Sequence, residues 1–398
     1  MYPIIKLKPG KETNAAYRHP WIFSGALAEV PAEAGHGDLV HAADSGGEII
    51  GTGTYSSRSS IAVRLFEFGQ ATIDRGWLAG KFKEAEATRR LCGYGPDRQT
   101  NGYRLVFGEA DGIPGLVVDR YADVLVFQIS TAGMEKLRQD VIEALAETFK
   151  PKAVVERSDL PARREEGLDD VVALRHGQDP GPVGFLENGC LFLADVMAGQ
   201  KTGFFLDQKD LRRKVSALAP GRRCLNLFSY SGATSVAAMK GGAVSAHNVD
   251  SSQKALELCR RQAELNGLPA GSFTVEETDI FQYLGSKGEP EFDLVIMDPP
   301  ALIKSRGDAE EGRKAYHFLN RAAMRLVRDG GVFVTSSCSH FLPEEDLAFI
   351  LRRASLQAGC RLSVIEVVRQ SPDHPQSVYF PEAGYLKSFI CQVKSLVS

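Results

Sequence analysis

A chain of 398 residues exceeds the roughly 100–200 that one ordinary domain takes, so two or three domains are expected. With 43% hydrophobic and 24% charged residues it has the composition of a soluble globular protein with sizeable cores, which excludes disordered and collagen-like classes. Lys+Arg 47 against Asp+Glu 50 leaves a formal net charge of −3, so no bulk positive field draws the chain to nucleic acid and any RNA contact must come from local patches.

In chain order, the first stretch, residues 1–70, reads as short strands at 3–7, 39–42, 49–54 and 61–66. Ile61, Val63 and Leu65 alternate with Ala62, Arg64 and Phe66, as in a strand of a small barrel. Gly35, Gly37, Gly46 and Gly47 mark its turns. Residues 71–185 open on a charged helix pattern at 78–91 and continue through strand-like runs at 104–107, 115–119 and 124–129. A helix at 134–149 and a strand at 153–157 follow, and the charged, Gly- and Pro-containing run 157–182 reads as exposed loop or linker with a short strand at 171–174. After about residue 200 strand and helix alternate, with strands at 224–228, 244–250, 273–279, 292–298 and 332–337. Ala315, Phe318, Leu319, Ala322 and Leu326 line one helical face, and Leu347, Ile350, Leu351 and Ala354 another. Two last strands, 363–369 and 386–393, have no helix-length apolar pattern between them. The expected fold class is α/β: residues 186–398 form a Rossmann-like domain whose parallel sheet is closed by an antiparallel hairpin, after a small central α+β domain and a β-barrel.

The longest uncharged stretch, 16 residues between Arg223 and Lys240, contains Asn226, Ser229, Ser231, Thr234 and Ser235, so no membrane helix is expected there. The five uncharged residues before Lys6 are too few for a secretory signal, which points to the cytoplasm. Seven cysteines with no CxxC pair then read as reduced thiols, and eight histidines without HxxxH spacing give a metal site little support.

AsnLeuPheSerTyrSerGlyAlaThrSer at 226–235 carries an apolar strand into small polar residues, then opens a helix at Gly232. That geometry brings a ligand to backbone N–H groups at a strand's carboxyl end. Asp250, 24 residues after Asn226, ends the next strand, where an acidic side chain accepts hydrogen bonds from ribose hydroxyls. A nucleoside cofactor is implied, and since GxGxxG is absent, S-adenosylmethionine (SAM) fits better than NAD. Asp279 closes the third strand, within reach of an adenine amino group or as an ordinary strand-end carboxylate. In AspProProAla at 298–301 the two prolines stiffen the chain and hold the Asp298 carboxylate beside the site. Amino-group methyltransferases carry an aromatic residue after such prolines; Ala301 stands here. Cys338, in ThrSerSerCysSerHis at the end of the fifth strand, suits cytosine chemistry: C5 is a poor nucleophile until a thiolate adds to C6.

End to end, the chain resembles the 23S ribosomal RNA large-subunit methyltransferase I family, which methylates cytosine C5 with SAM. HisProTrpIlePheSerGlyAla at 19–26 resembles that family's RNA-binding PUA barrel, and GlyGluAlaAspGlyIleProGlyLeuValValAspArg at 108–120 with GluArgSerAsp at 156–159 its central domain. LysThrGlyPhePheLeuAspGln at 201–208, the 226–232 segment, AspProPro, SerCysSer and the C-terminal AspHisPro, PheProGlu and TyrLeuLys recur in order. The resemblance implies that Cys338 is the nucleophile and Asp298 sits on the base's N3/N4 edge. Asp207, Gln208, Asn226, Ser229, Tyr230, Gly232, Asp250, Asp279 and Asp298 would line the SAM pocket. It also implies 23S ribosomal RNA as partner, no membrane and no metal, and leaves room for a homodimer.

Arg163, Arg164, Arg212, Arg213, Lys214, Lys304, Arg306 and Arg313 are the candidate phosphate contacts, with Lys304 and Arg306 best placed after AspProPro. Three other readings stay open at this stage: methylation of another RNA base or atom with Cys338 structural, a non-catalytic RNA-binding protein, and a nicotinamide-dependent dehydrogenase. The missing GxGxxG speaks against the last.

Overall fold

The computed structural model describes residues 2–286 and 288–396. Its contacts divide the chain into two compact units, Met1–Glu187 with Leu193–Asp207 and Pro372–Ala383, and Asn188–Phe192 with Gln208–Ser371 and Gly384–Ser398.

The first unit holds two sheets. The N-terminal one comprises β1 (Ile4–Leu7), β2 (Trp21–Phe23), β3 (Leu27–Glu29), β4 (Leu39–Ala43), β5 (Ile49–Tyr55) and β6 (Ile61–Glu67), in the order β2-β6-β5-β4-β1-β3. Only β1 and β4 run parallel. Ile5, Leu7, Val40, Val63 and Leu65 close its core. Gly53 permits the tight β5–β6 approach, since a Cβ there would lie 2.1 Å from the Arg64 carbonyl oxygen. The strands β2 and β3, three residues each, are too short for alternation to reveal them in sequence.

The second sheet has the order β11-β10-β9-β8-β7, from β7 (Gly102–Phe107), β8 (Leu116–Tyr121), β9 (Val124–Ile129), β10 (Ala153–Ser158) and β11 (Val171–Gly177). The helix expected at 134–149 is two helices, Ala132–Lys136 and Arg138–Phe149, broken at Leu137. The supposed linker 157–182 is ordered structure. Pro161–Glu165 is helical, and β11 pairs antiparallel with β10 from Ala153↔Gly177 to Ser158↔Val171. Most of the segment is exposed as expected, while the buried Arg163 bridges Glu135 at 3.0 Å and Arg175 bridges the buried Glu156 at 2.7 Å. Phe66 of β6 packs into the same core as Leu105, Phe127 and Val154, so the two sheets share one unit.

A hairpin, β12 (Pro182–Glu187) and β13 (Cys190–Asp195), lies where the chain leaves the first unit. In the second unit, β14 (Arg223–Leu227), β15 (Ser245–Asp250), β16 (Phe273–Glu277), β17 (Phe292–Met297), β18 (Val327–Ser337), β19 (Cys360–Arg369) and β20 (Lys387–Ser395) form one sheet. Its order is β16-β15-β14-β17-β18-β20-β19; β14 to β18 are parallel and β20 lies antiparallel between β18 and β19. The expected parallel sheet with its closing hairpin is therefore present. Leu225, Val249, Val295, Leu319, Phe333, Leu351 and Phe389 belong to one core. The strand order reverses between β14 and β17, and in such sheets the crevice at the carboxyl ends of those strands is where ligands bind.

Candidate active site

The chain leaves β14 through a strained turn, with Phe228, Tyr230 and Gly232 at φ 57, 48 and 70°. Left-handed non-glycine residues cost of order 1–3 kcal/mol each and cluster at ligand clamps. Gly232 then caps the helix Ala233–Lys240, and no side chain fits there: a Cβ would lie 2.3 Å from Cys259 Sγ. Asn226 is buried, its amide donating to Ser235 Oγ at 2.9 Å, so it ties the strand to that helix. Ser229 is also buried, and its Oγ has no hydrogen-bond partner among the described residues.

Asp250 ends β15. Its Oδ2 accepts from Tyr230 N–H at 2.8 Å and its Oδ1 from Ser252 N–H at 2.9 Å, which braces the turn. A carboxylate has about four acceptor positions, so these two bonds leave capacity for ribose hydroxyls. Asp279 stands two residues beyond β16 rather than closing it, because its exposed carboxylate caps the helix Ile280–Ser286 by accepting from Phe281 N–H at 2.9 Å and Gln282 N–H at 3.1 Å.

Asp298 follows β17 directly, its N–H donating to the Leu227 carbonyl at 3.4 Å, and its Oδ2 accepts from Gln208 Nε2 at 2.7 Å. Gln208 and Asp298 are thus joined. Asp207 belongs to the first unit, where its Oδ2 lies 3.4 Å from Lys201 Nζ.

Beside β17, register pairs Met297 with Thr335, so Asp298 and the half-buried Cys338 leave the carboxyl ends of adjacent strands. The turn bearing Cys338 is pinned on both flanks. Tyr316 OH, on the helix Ala309–Met324, shares hydrogen bonds with Ser337 Oγ at 2.9 Å and Ser339 Oγ at 3.2 Å. Ile303 N–H, from the loop after AspProPro, donates to Ser339 Oγ at 3.3 Å, which fastens the Asp298 loop to the Cys338 turn. Lys387 Nζ, buried, donates to the carbonyls of Ser339 at 2.6 Å and Tyr385 at 3.2 Å. Sequence reasoning missed Tyr316, Ser339 and Lys387; the available signal was a lysine interrupting an apolar terminal strand, LeuLysSerPheIleCys at 386–391.

No disulfide joins the seven cysteines. Burial pushes the thiols of Cys224, Cys259 and Cys391 up to about 12 and raises that of Cys360, which suits inert core positions. His340 is exposed and its ring meets Phe341 at 5.7 Å.

Among the candidate phosphate contacts, Arg163 and Arg212 are 1% and 2% exposed and so face the interior instead of solvent. Arg164, Arg213, Lys214 and Arg313 are engaged by Asp170, Asp210, Glu366 and Asp346. Lys304 and Arg306 are exposed. Among the described residues there is no cluster fit to hold a metal ion and no helix long and apolar enough to cross a membrane.

Comparison with known proteins gives the family. Residues 169–390 match a family described as S-adenosylmethionine-dependent methyltransferase, and residues 5–68 match a PUA-like domain. The chain is 37% identical over 393 residues to a ribosomal RNA large subunit methyltransferase I from Shewanella amazonensis, covering 98% of this chain and 99% of that one. A protein of the same name from Alteromonas mediterranea is 36% identical over 392 residues, covering 98% of each. Two solved structures share the fold at TM-score 0.83 and 21% identity, both covering 98% of this chain: a candidate SAM-dependent methyltransferase from Streptococcus mutans, covered fully (100%), and SMU.776 complexed with SAH, covered to 99%. The chain therefore belongs to the ribosomal RNA large subunit methyltransferase I family of SAM-dependent enzymes.

Proposed function

We propose that the protein forms 5-methylcytosine in 23S ribosomal RNA through a covalent bond between Cys338 and C6 of the target base. The observation that carries this reading is the presentation of a half-buried cysteine on a turn fastened, through Ile303 and Ser339, to the loop that holds Asp298. Ser229, Tyr230, Gly232 and Asp250, with Asn226 behind them, would hold SAM, Asp250 taking the ribose hydroxyls. Bound there, SAM supplies an electrophilic methyl group.

The protein's own groups do the rest. The Cys338 thiolate bonds to C6, and the C5–C6 π electrons make C5 nucleophilic as negative charge spreads toward N3. Asp298, oriented by the Gln208 amide, meets the N3/N4 edge: ionised it accepts from the N4 amino group, and protonated it donates to N3. Once C5 has been methylated, its proton passes to a water molecule, the C–H electron pair reforms the C5–C6 double bond, and the sulfur–C6 bond breaks to release Cys338 as thiolate. The cytosine must be single-stranded or flipped out for C5 and C6 to be reached. In the same reading the chain divides into a PUA-like RNA-binding barrel at 1–70, a central domain at 71–185 and the methyltransferase domain at 186–398, and works in the cytoplasm where its substrate lies.

RNA containing 5-fluorocytidine tests the mechanism, because fluorine at C5 blocks proton loss and strands the adduct. With SAM present, a denaturation-resistant protein–RNA complex is expected for the native enzyme and none for Cys338→Ser. Full methylation by Cys338→Ser, read by nucleoside mass spectrometry, would instead leave the cysteine structural and point to another base or atom.

A further inference from the structure

A nucleophilic cysteine needs its thiolate, yet a thiol of ordinary pKa of about 8.5 is only a few per cent ionised at neutral pH. A nearby cation is one of the few devices that changes this. Lys387 opens β20, directly opposite Ser337 in the antiparallel register with β18, and its Nζ lies 2.6 Å from the carbonyl oxygen of Ser339, the residue after Cys338. That carbonyl and the Tyr385 carbonyl take two of its three N–H donors. Both acceptors are neutral.

We propose that Lys387 is the positioning residue that holds Cys338 as a thiolate, its ammonium supplying the counter-charge under the SerCysSer turn. The thiol proton goes to solvent and Lys387 keeps its own three. The inference rests on the reading of Cys338 as nucleophile.

The surrounding charges agree with this role. Burial pushes the Lys387 ammonium below the ordinary lysine range, while negative charge at Cys338, and then at Glu344, pushes it back up. Glu344, on the helix Glu344–Gln357, is itself bridged by Arg369 at 2.7 Å. Tyr316, the titratable group on the other flank, is raised by burial; its Ser337 and Ser339 hydrogen bonds oppose that rise and the negative charge of Cys338 adds to it, so it stays neutral and donates no charge to the turn. Lys387 is therefore a cation held against the turn that carries Cys338, from the strand paired with β18. A buried lysine whose hydrogen-bond partners among the described residues are two carbonyls is otherwise an expensive choice for a sheet position next to Phe389 and Cys391.

The test follows alkylation of Cys338 by iodoacetamide against pH, without RNA or SAM, with its peptide quantified by mass spectrometry so that Cys92 and the core cysteines do not interfere. In the native enzyme the rate should be half-maximal well below pH 8.5. Lys387→Met should move that midpoint upward by about one pH unit or more, and Lys387→Arg should restore most of the difference. Melting curves report whether each variant is folded. A native midpoint at or above 8.5, or a folded Lys387→Met with an unmoved midpoint, would overturn the pairing; the native measurement needs no variant. Failure of the catalytic reading shows separately, as full methylation by Cys338→Ser with the alkylation midpoint still low.

Discussion

Ser229 illustrates how a single atom separates stability from binding. Its hydroxyl is buried in the turn after β14 with no partner among the described residues, although burying an unsatisfied hydroxyl costs about 1–3 kcal/mol. Its backbone N–H is already bonded to Val249 O at 3.1 Å, so the side chain is not needed to form the turn. Ser229→Ala is therefore expected to leave the melting temperature of the cofactor-free protein unchanged or higher. SAM affinity should fall at least about fivefold, since one neutral hydrogen bond is worth about 1 kcal/mol. Calorimetry with SAM and thermal melting read the two effects, and a lower melting temperature with unaltered affinity would assign the hydroxyl to the fold instead. Gly232, three residues on, is the opposite kind of position: its φ of 70° and the Cys259 sulfur leave no room for any Cβ.

At the scale of elements, the site depends on β18 ending in a turn that the helix Ala309–Met324 grips from one side. Tyr316 is the grip, a buried phenol shared by Ser337 and Ser339, and Ser339 in turn receives Ile303 N–H. Tyr316→Phe deletes both bonds at almost constant shape, so a loss of about 1–2 kcal/mol of stability is expected. The larger effect should be on turnover, with kcat reduced about tenfold or more as the Cys338 turn loosens and SAM affinity unchanged; equal losses in kcat and SAM binding would mean that Tyr316 supports the whole domain. This dependence also marks what was legible in sequence. The alternating strands and helices after residue 200, the AspProPro loop and the SerCysSer turn were readable because periodicity and proline act locally. Tyr316 and Lys387 were not, since their roles arise only when register sets β20 against β18 and a helix across the turn. The helix-capping bonds of Asp279 were not legible either, because a strand-end carboxylate and a helix cap look alike one residue at a time. Residues 157–182 are mostly exposed, as their composition suggests; what that composition hid was the helix Pro161–Glu165 and the full length of β11 against β10.

For the whole molecule, a net charge of −3 means that attraction to RNA is a sum of local terms set against weak overall repulsion. Among the candidate phosphate contacts, Arg313 is bridged by Asp346 and Lys214 by Glu366. Lys304 and Arg306 differ: both are exposed, and they follow Ile303, whose buried side chain and bonded N–H anchor the loop after AspProPro. If the proposed cytosine sits at Asp298, they are the cations expected to meet its flanking phosphates. Each phosphate contact to single-stranded RNA releases about 0.7 of a counterion, so Lys304→Ala with Arg306→Ala should make the slope of log affinity against log salt shallower by about 1.4. Weaker RNA binding at low salt should accompany it, with SAM affinity unaltered because neither residue lies in the turn after β14. An unchanged salt slope would exclude both residues from phosphate contact and shift the electrostatic part of recognition to the PUA-like barrel, where Lys6, Lys8 and Lys11 are exposed.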